Sequence, residues 1–144
     1  MNQGDKTKLI PYIDYVEKEL SFLPEYEREV DWKTYYSLRS KRLEIERWIE
    51  CLINAALDIS KMFLTITGET IPETSREVLF QMGACVYGIE AEAEAFSELA
   101  KIRNTLAHRY LDIRWRDIKR FLQVAPNLYP AFIDYVKKRM EGER

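Results

Sequence analysis

Histidine occurs once in the 144 residues, cysteine twice, and glycine and proline five times each. So few turn-forming residues exclude a many-stranded β fold, which needs a turn about every 8–12 residues. No apolar run approaches the roughly 18 residues of a membrane span. The opening Met1-Asn2-Gln3-Gly4-Asp5 is not a basic segment and no apolar one follows it, so no secretory signal is expected. Cys51 and Cys85 lie far apart and are expected to be two reduced, buried thiols of a cytoplasmic protein. With His108 they supply only three ligands, none closely paired, so neither a structural metal nor a cofactor is expected.

What is present is a foldable balance: 47% of residues are hydrophobic and 32% are charged. A chain of this size buries roughly 68–70% of its unfolded surface without a disulfide or metal. The expectation is one domain over residues 1–144. Net charge is −2, which alone does not point to nucleic acid. The charge is unevenly spread, however. Residues 1–31 carry four Lys/Arg and eight Asp/Glu. Residues 101–120 carry Lys101, Arg103, Arg109, Arg114, Arg116, Lys119 and Arg120 against Asp112 and Asp117. A second basic stretch holds Lys33, Arg39, Lys41, Arg42 and Arg47. Such stretches are either solvated helix faces or a local anion-binding surface on an acidic protein.

The apolar spacing predicts an all-α fold, an up-and-down helical bundle with two long central helices and shorter C-terminal ones. Asp5 and Thr7 are candidate caps of a first helix carrying Ile10, Ile13, Val16 and Leu20, with Pro11 near its first turns. From Trp32 to Thr67 there is neither Gly nor Pro. Ile45, Ile49, Leu52, Ala56, Ile59, Phe63 and Ile66 step by four and three, which predicts one continuous helix of about 35 residues, roughly 50 Å long. Thr74-Ser75-Arg76-Glu77 has capping-box spacing and opens a third helix that Gly88 closes. Glu90, Glu92 and Glu94 open a fourth helix running to about Tyr110. Trp115 to Val124 reads as a short helix broken by Pro126, and Leu128 to Met140 as the last one. Most of the 18 aromatics are expected in the core.

The fourth helix contains a local conflict. On a wheel centred on Phe96, Ala100, Ala107 and Leu99 define a buried stripe, and Arg103 falls at its middle, about 20° from Phe96. An arginine in an apolar seam is expensive unless it is paired, for instance with Glu46, or faces a cleft. Such conflicts between local pattern and global fold are often functional. Asn104 and His108, four apart, share one flank of this helix, so the cluster reads Arg103-Asn104-Thr105-Leu106-Ala107-His108-Arg109-Tyr110.

This cluster resembles the Arg-x4-His-x-Tyr signature of HEPN-domain toxins of the HepT type. Arg42-Leu43-Glu44-Ile45-Glu46-Arg47, Ala55-Ala56-Leu57-Asp58-Ile59 and Ile71-Pro72-Glu73-Thr74-Ser75-Arg76-Glu77 resemble the family's segments around it, over roughly residues 38–122. One local departure is Lys101-Ile102, where a small or aromatic residue more usually precedes the arginine. The resemblance implies a metal-independent endoribonuclease, the toxin of a pair whose antitoxin is a minimal nucleotidyltransferase. It implies catalytic roles for Arg103 and His108, a supporting polar role for Asn104, and AMPylation by the antitoxin at Tyr110. Some HEPN proteins bind nucleotides or dock partners without cutting RNA, and a noncatalytic nucleotide-binding or docking subunit is the alternative.

The residue chemistry agrees with a nuclease. Metal-free RNA cleavage needs a base for the 2′-hydroxyl, an acid for the 5′-oxygen and positive charge at the phosphorane. An imidazole, ordinarily titrating near roughly pH 6.5, serves as either acid or base. A planar, always-charged guanidinium suits phosphate oxygens, and Asn104 can orient the histidine or hold an oxygen. Lys101, Arg109, Arg114 and Arg116 are the candidate RNA contacts. One chain supplies one histidine, and residues five apart diverge by about 140° on an ideal helix. A homodimer joining two copies of the motif helix across a two-fold axis is therefore expected, as in the family.

Overall fold

The computed structural model describes residues 1–142, so the last two residues of the expected domain lie outside the described residues. Seven α-helices follow one another: α1 (Gln3–Leu20), α2 (Leu23–Glu29), α3 (Trp32–Ser37), α4 (Arg39–Ile66), α5 (Ser75–Tyr87), α6 (Glu90–His108) and α7 (Leu111–Met140). No strand occurs among the described residues. The helix α4 is central and touches α1, α3, α5, α6 and α7. Its seam is the one expected from the spacing: Ile45, Ile49, Leu52, Ala56, Ile59 and Phe63 are buried, and Ile66 is half-buried. Each large side chain withdrawn from water there contributes about 1.5–3 kcal/mol, which explains how one helix can organise five others.

Three departures from the sequence expectation have physical causes. The long helix from Trp32 to Thr67 is broken at Leu38, whose backbone is extended at φ −106° and ψ 96°. No Gly or Pro marks the break. Instead Arg42 Nη1 donates to the carbonyls of Tyr35 at 3.2 Å and Tyr36 at 3.0 Å, satisfying groups that a continuous helix would have bonded internally. At the far end of the chain the opposite occurs. Pro126 and Pro130 lie inside α7, which runs unbroken where two helices were expected. An interior proline costs about 3 kcal/mol. Against this, Phe121, Leu128, Tyr129, Phe132, Ile133 and Val136 are buried along one face of α7, and their burial at about 1.5–3 kcal/mol each outweighs both prolines. In α1 the cap is Asn2, whose Oδ1 accepts from the Asp5 N–H at 2.8 Å, rather than Asp5 or Thr7. That earlier start puts Pro11 well inside the helix, and Leu9 rather than Ile10 enters the core.

Two burial expectations also change. Seven of the 18 aromatics are buried, whereas Tyr12, Tyr15, Phe22, Trp32, Tyr36 and Tyr110 are exposed. Cys85 is exposed and Cys51 half-buried, both as free thiols. Neither residue type settles burial by itself: Tyr12 and Tyr15 on α1, Trp32 and Tyr36 on α3 and Cys85 on α5 fall on solvent sides of their helices, and Phe22 and Tyr110 lie in turns.

The hairpin of α5 and α6 forms as the capping signals predict. The Thr74 hydroxyl accepts from the Glu77 N–H at 3.2 Å, and Gly88 takes the left-handed conformation, φ 67°, that ends α5. Inside the hairpin the two backbones nearly touch. A Cβ placed on Gly83 would lie 2.9 Å from the Cα of Ala93. This close approach sets how Ser75, at the start of α5, sits relative to α6.

A polar clamp holds the junction after α6. The Tyr35 phenol donates to Glu46 Oε2. Arg114 Nη1 lies 3.3 Å from both Glu46 oxygens, and Arg114 Nε donates to the Arg109 carbonyl at 2.6 Å. Burial, then the bond to Glu46, pushes the Tyr35 phenol far above its ordinary range, so it remains a donor to the carboxylate. The clamp thereby ties α3 and α4 to the turn between α6 and α7.

Two substitutions test this packing. Gly83→Ala is expected to lower stability by about 1–3 kcal/mol, because neither backbone can yield without displacing the other. Thermal melting followed by far-ultraviolet circular dichroism would register it as a lower Tm. Glu46→Ala leaves the Tyr35 hydroxyl and the Arg114 guanidinium without their shared acceptor and is expected to cost about 2 kcal/mol. Urea titration measures that loss, and an unchanged midpoint would remove the clamp from the account.

Candidate functional site

The candidate residues lie on the C-terminal half of α6 and the turn that follows. The buried face of this helix drifts as it runs. It starts on Ala93, Phe96 and Ser97 and ends on Ile102, Thr105 and Leu106, with Leu99 between. Arg103 therefore stands at the edge of the buried stripe, not at its middle. Ala100 is half-buried and Ala107 is exposed, so the expected stripe through Ala100, Arg103 and Ala107 is instead a face that no other helix of the chain covers completely.

Arg103 is half-buried and held from two elements. Its Nη1 donates to Asn54 Oδ1 on α4 at 3.0 Å, and its Nη2 donates to Ser75 Oγ at the first residue of α5 at 3.2 Å. Both partners are neutral. Among the described residues no carboxylate pairs with Arg103, and the expected candidate Glu46 is occupied by Arg114. The guanidinium is thus oriented while its charge is left uncompensated. A cation arranged in this way has its remaining N–H groups and its full charge available to an anion.

The other motif residues are more open. Asn104 and Lys101 are exposed and line a surface hollow of about 680 Å³ with Arg76, Glu94 and Glu98. His108 is exposed in the last turn of α6. It is five residues beyond Arg103, so within one chain the two side chains leave the helix about 140° apart, whereas Asn104 and His108 share a flank. The helix stops at His108. Arg109 and Tyr110 are extended, with ψ 169° at both. Tyr110 consequently does not continue the α6 wheel two turns beyond Arg103, as the sequence reading expects. It precedes α7 and is 86% exposed, so it is not a packing aromatic within this chain.

The four candidate RNA contacts divide. Lys101 and Arg109 form no ion pair among the described residues. Arg116 is exposed and lies 3.4 Å from Asp117. Arg114 faces inward, engaged by Glu46 and by the Arg109 carbonyl, so it holds the turn that presents Arg109 and Tyr110. Sequence reasoning does not find Asn54 or Ser75. The available signals are faint: Asn54 is a polar residue flanked by Ile53 and Ala55, and Ser75 reads only as a helix start. Among the described residues no three His, Cys, Asp or Glu side chains are grouped as a metal site requires, and no helix is long and apolar enough to cross a membrane.

A comparison with curated protein sequences gives no match. A comparison with protein families does. The family described as Ribonuclease HepT-like matches residues 16–138, from the last turns of α1 to the last turn of α7. The match covers Asn54, Ser75, Arg103, His108 and Tyr110 together with the helices that position them, and the chain belongs to the HepT-like ribonuclease family.

Proposed function

We propose that this chain is a metal-independent endoribonuclease, the toxin of a toxin–antitoxin pair, acting on RNA in a cleft between two copies of the chain. The observation that carries this reading is the oriented but uncompensated charge of Arg103, held by Asn54 and Ser75 rather than by an acid. Phosphate is the anion such a fork suits, through paired N–H···O bonds that strengthen as charge builds on the phosphorane. Family membership supports RNA as the polymer that supplies it.

The divergence of Arg103 and His108 along α6 supports the two-fold arrangement, since one chain offers one imidazole on the flank away from its arginine. In the proposed reaction, His108 of one protomer removes the 2′-hydroxyl proton and the 2′-oxygen attacks phosphorus. His108 of the partner subunit then gives a proton to the departing 5′-oxygen. The products are a 2′,3′-cyclic phosphate and a free 5′-hydroxyl. Arg103 stabilises the phosphorane oxygens, and Asn104, on the flank of His108, orients the imidazole or holds an oxygen. Lys101, Arg109 and Arg116 draw the backbone toward the cleft, and Arg114 contributes by holding the Arg109 carbonyl.

Tyr110 is proposed as the residue modified by a minimal nucleotidyltransferase antitoxin. Its phenol oxygen would attack the α-phosphorus of ATP, releasing pyrophosphate. The adduct places a bulky anion beside Arg109, competing for the cations and blocking RNA. Exposure of the ring supports access by an enzyme of that kind.

Purified chain incubated with total RNA in excess EDTA is expected to cut it, and the same preparation to sediment as a dimer. Arg103→Ala and His108→Ala should each reduce cleavage by about 100-fold or more. Circular dichroism should show both variants folded, since Arg103 loses only two hydrogen bonds to half-buried neutral groups. Wild-type rates from His108→Ala would remove it from catalysis, and folded wild type that binds RNA without cutting it would favour the noncatalytic docking reading. A second outcome concerns the antitoxin. A cognate nucleotidyltransferase with ATP is expected to silence the wild type but not Tyr110→Phe, with AMP-sized mass additions on the wild type only. Equal inhibition without ATP would count against modification and for simple masking.

A further inference from the structure

The Asn54 that holds Arg103 also lines a separate cleft of about 330 Å³ between α1 and α4. On the α1 side stand Pro11, Tyr12 and Tyr15. The two tyrosines are three residues apart on one face, 40% and 41% exposed. On the α4 side stand Asn54 and Asp58, four residues apart and so also on one face. The volume is that of a small-molecule site: apolar walls with a few convergent polar groups.

Arg103 determines what Asn54 offers to this cleft. A guanidinium only donates, so the amide atom facing Arg103 must be the carbonyl oxygen. The Nδ2 amino group is the remaining end of the amide, and among the described residues it donates to nothing. Asp58 is exposed and, among the described residues, pairs with no cation. The cleft lining therefore holds two tyrosines with the Cys51 thiol beside Tyr15, an amide whose amino end has no partner among the described residues and, one helical turn away, a free carboxylate acceptor.

We propose that this cleft is a guanine subsite adjoining the phosphate position at Arg103: Tyr12 and Tyr15 stack the base, Asn54 Nδ2 donates to O6, and Asp58 accepts from N1–H and N2–H2. The inference rests on the ribonuclease reading and deepens it by naming the base read beside the cut. Stacking on tyrosine suits every base, so the polar pair decides the choice. Adenine and cytosine place a ring-nitrogen acceptor beside the donor that Asp58 would bind. Uracil offers a single N–H there, flanked by an oxygen that repels the carboxylate. Guanine offers two adjacent donors to the carboxylate and an acceptor to the amide. Asn54 links the two halves of the site, since it fixes the phosphate-binding arginine with one end of its amide and meets the base with the other.

Two measurements test the subsite on the full-length chain. In the first, the ends of RNA cut in EDTA are mapped. Guanine is expected to be enriched about tenfold or more at one fixed position beside the cut, and Asp58→Asn to bring that enrichment within about twofold of the other bases among the ends it produces. Cleavage without base preference, or a preference that Asp58→Asn leaves in place, overturns the proposal while leaving the ribonuclease reading intact. In the second, the 15N-labelled chain is titrated with guanosine 3′-monophosphate and its adenosine, cytidine and uridine counterparts. This readout needs no cleavage. Guanosine 3′-monophosphate is expected to bind about tenfold more tightly than the others, perturbing residues around Tyr15 and Asn54, with binding weakened in Tyr12→Ala and Tyr15→Ala. That result would support the subsite even if the chain cut no RNA. Equal binding of all four overturns it, as does a tyrosine variant that dissociates a dimer and leaves guanosine binding unchanged, since the cleft would then be filled by a second copy.

Discussion

The rest of this structure depends on the apolar seam of α4, which decides where one cation comes to stand. Arg103 stands where α6 leaves the core, and it is fixed by an amide on α4 and a hydroxyl at the start of α5. Neutral holders differ from an acidic one in what they leave behind. A carboxylate would fix the side chain equally well but would cancel its charge, and an incoming anion would have to compete with it. Two neutral acceptors cost about as little to satisfy and leave an oriented charge. Holding them in place requires three helices in register. The apolar seam of α4, the backbone contact between Gly83 and Ala93, and the cap at Thr74 are the parts of the fold that maintain that register.

The turn after α6 is governed by a second, separate electrostatic device. Glu46 lies inside the bundle with Tyr35 and Arg114 as its donors, and Arg114 reaches onward to the Arg109 carbonyl. A half-buried ion pair is weak evidence for stability in general, since desolvation offsets much of the attraction. Here its consequence is geometric. It ends α6 at His108, extends Arg109 and Tyr110, and turns the tyrosine out to solvent. The two devices divide the basic segment between them: Arg103 and Arg109 keep free charge, while Arg114 gives its charge to the scaffold.

The sequence alone was sufficient for the helical class, the α4 seam, the Thr74 cap, the Gly88 stop and the place of Arg103, Asn104 and His108 on one helix. Each of these is encoded within a few residues: a four-three spacing, a hydroxyl three positions before a carboxylate, a glycine able to take positive φ, or a short run of polar side chains. Where it failed, a distant partner outweighed the local preference. Leu38 ends a helix because Arg42 satisfies the carbonyls, and Pro126 stays within one because a buried face of α7 compensates.

The same distinction separates the members of the site. That an arginine and a histidine stand five residues apart on one helix is a property of the chain, because the spacing is written in it. That Arg103 meets Asn54 and Ser75 rather than Glu46, and that Arg114 points inward, are properties of the assembled bundle. These contacts join residues 28, 49 and 68 positions apart. No local preference in the sequence specifies such a pairing. It is settled only when packing brings two helix faces together and each buried polar atom takes the nearest partner that can satisfy it.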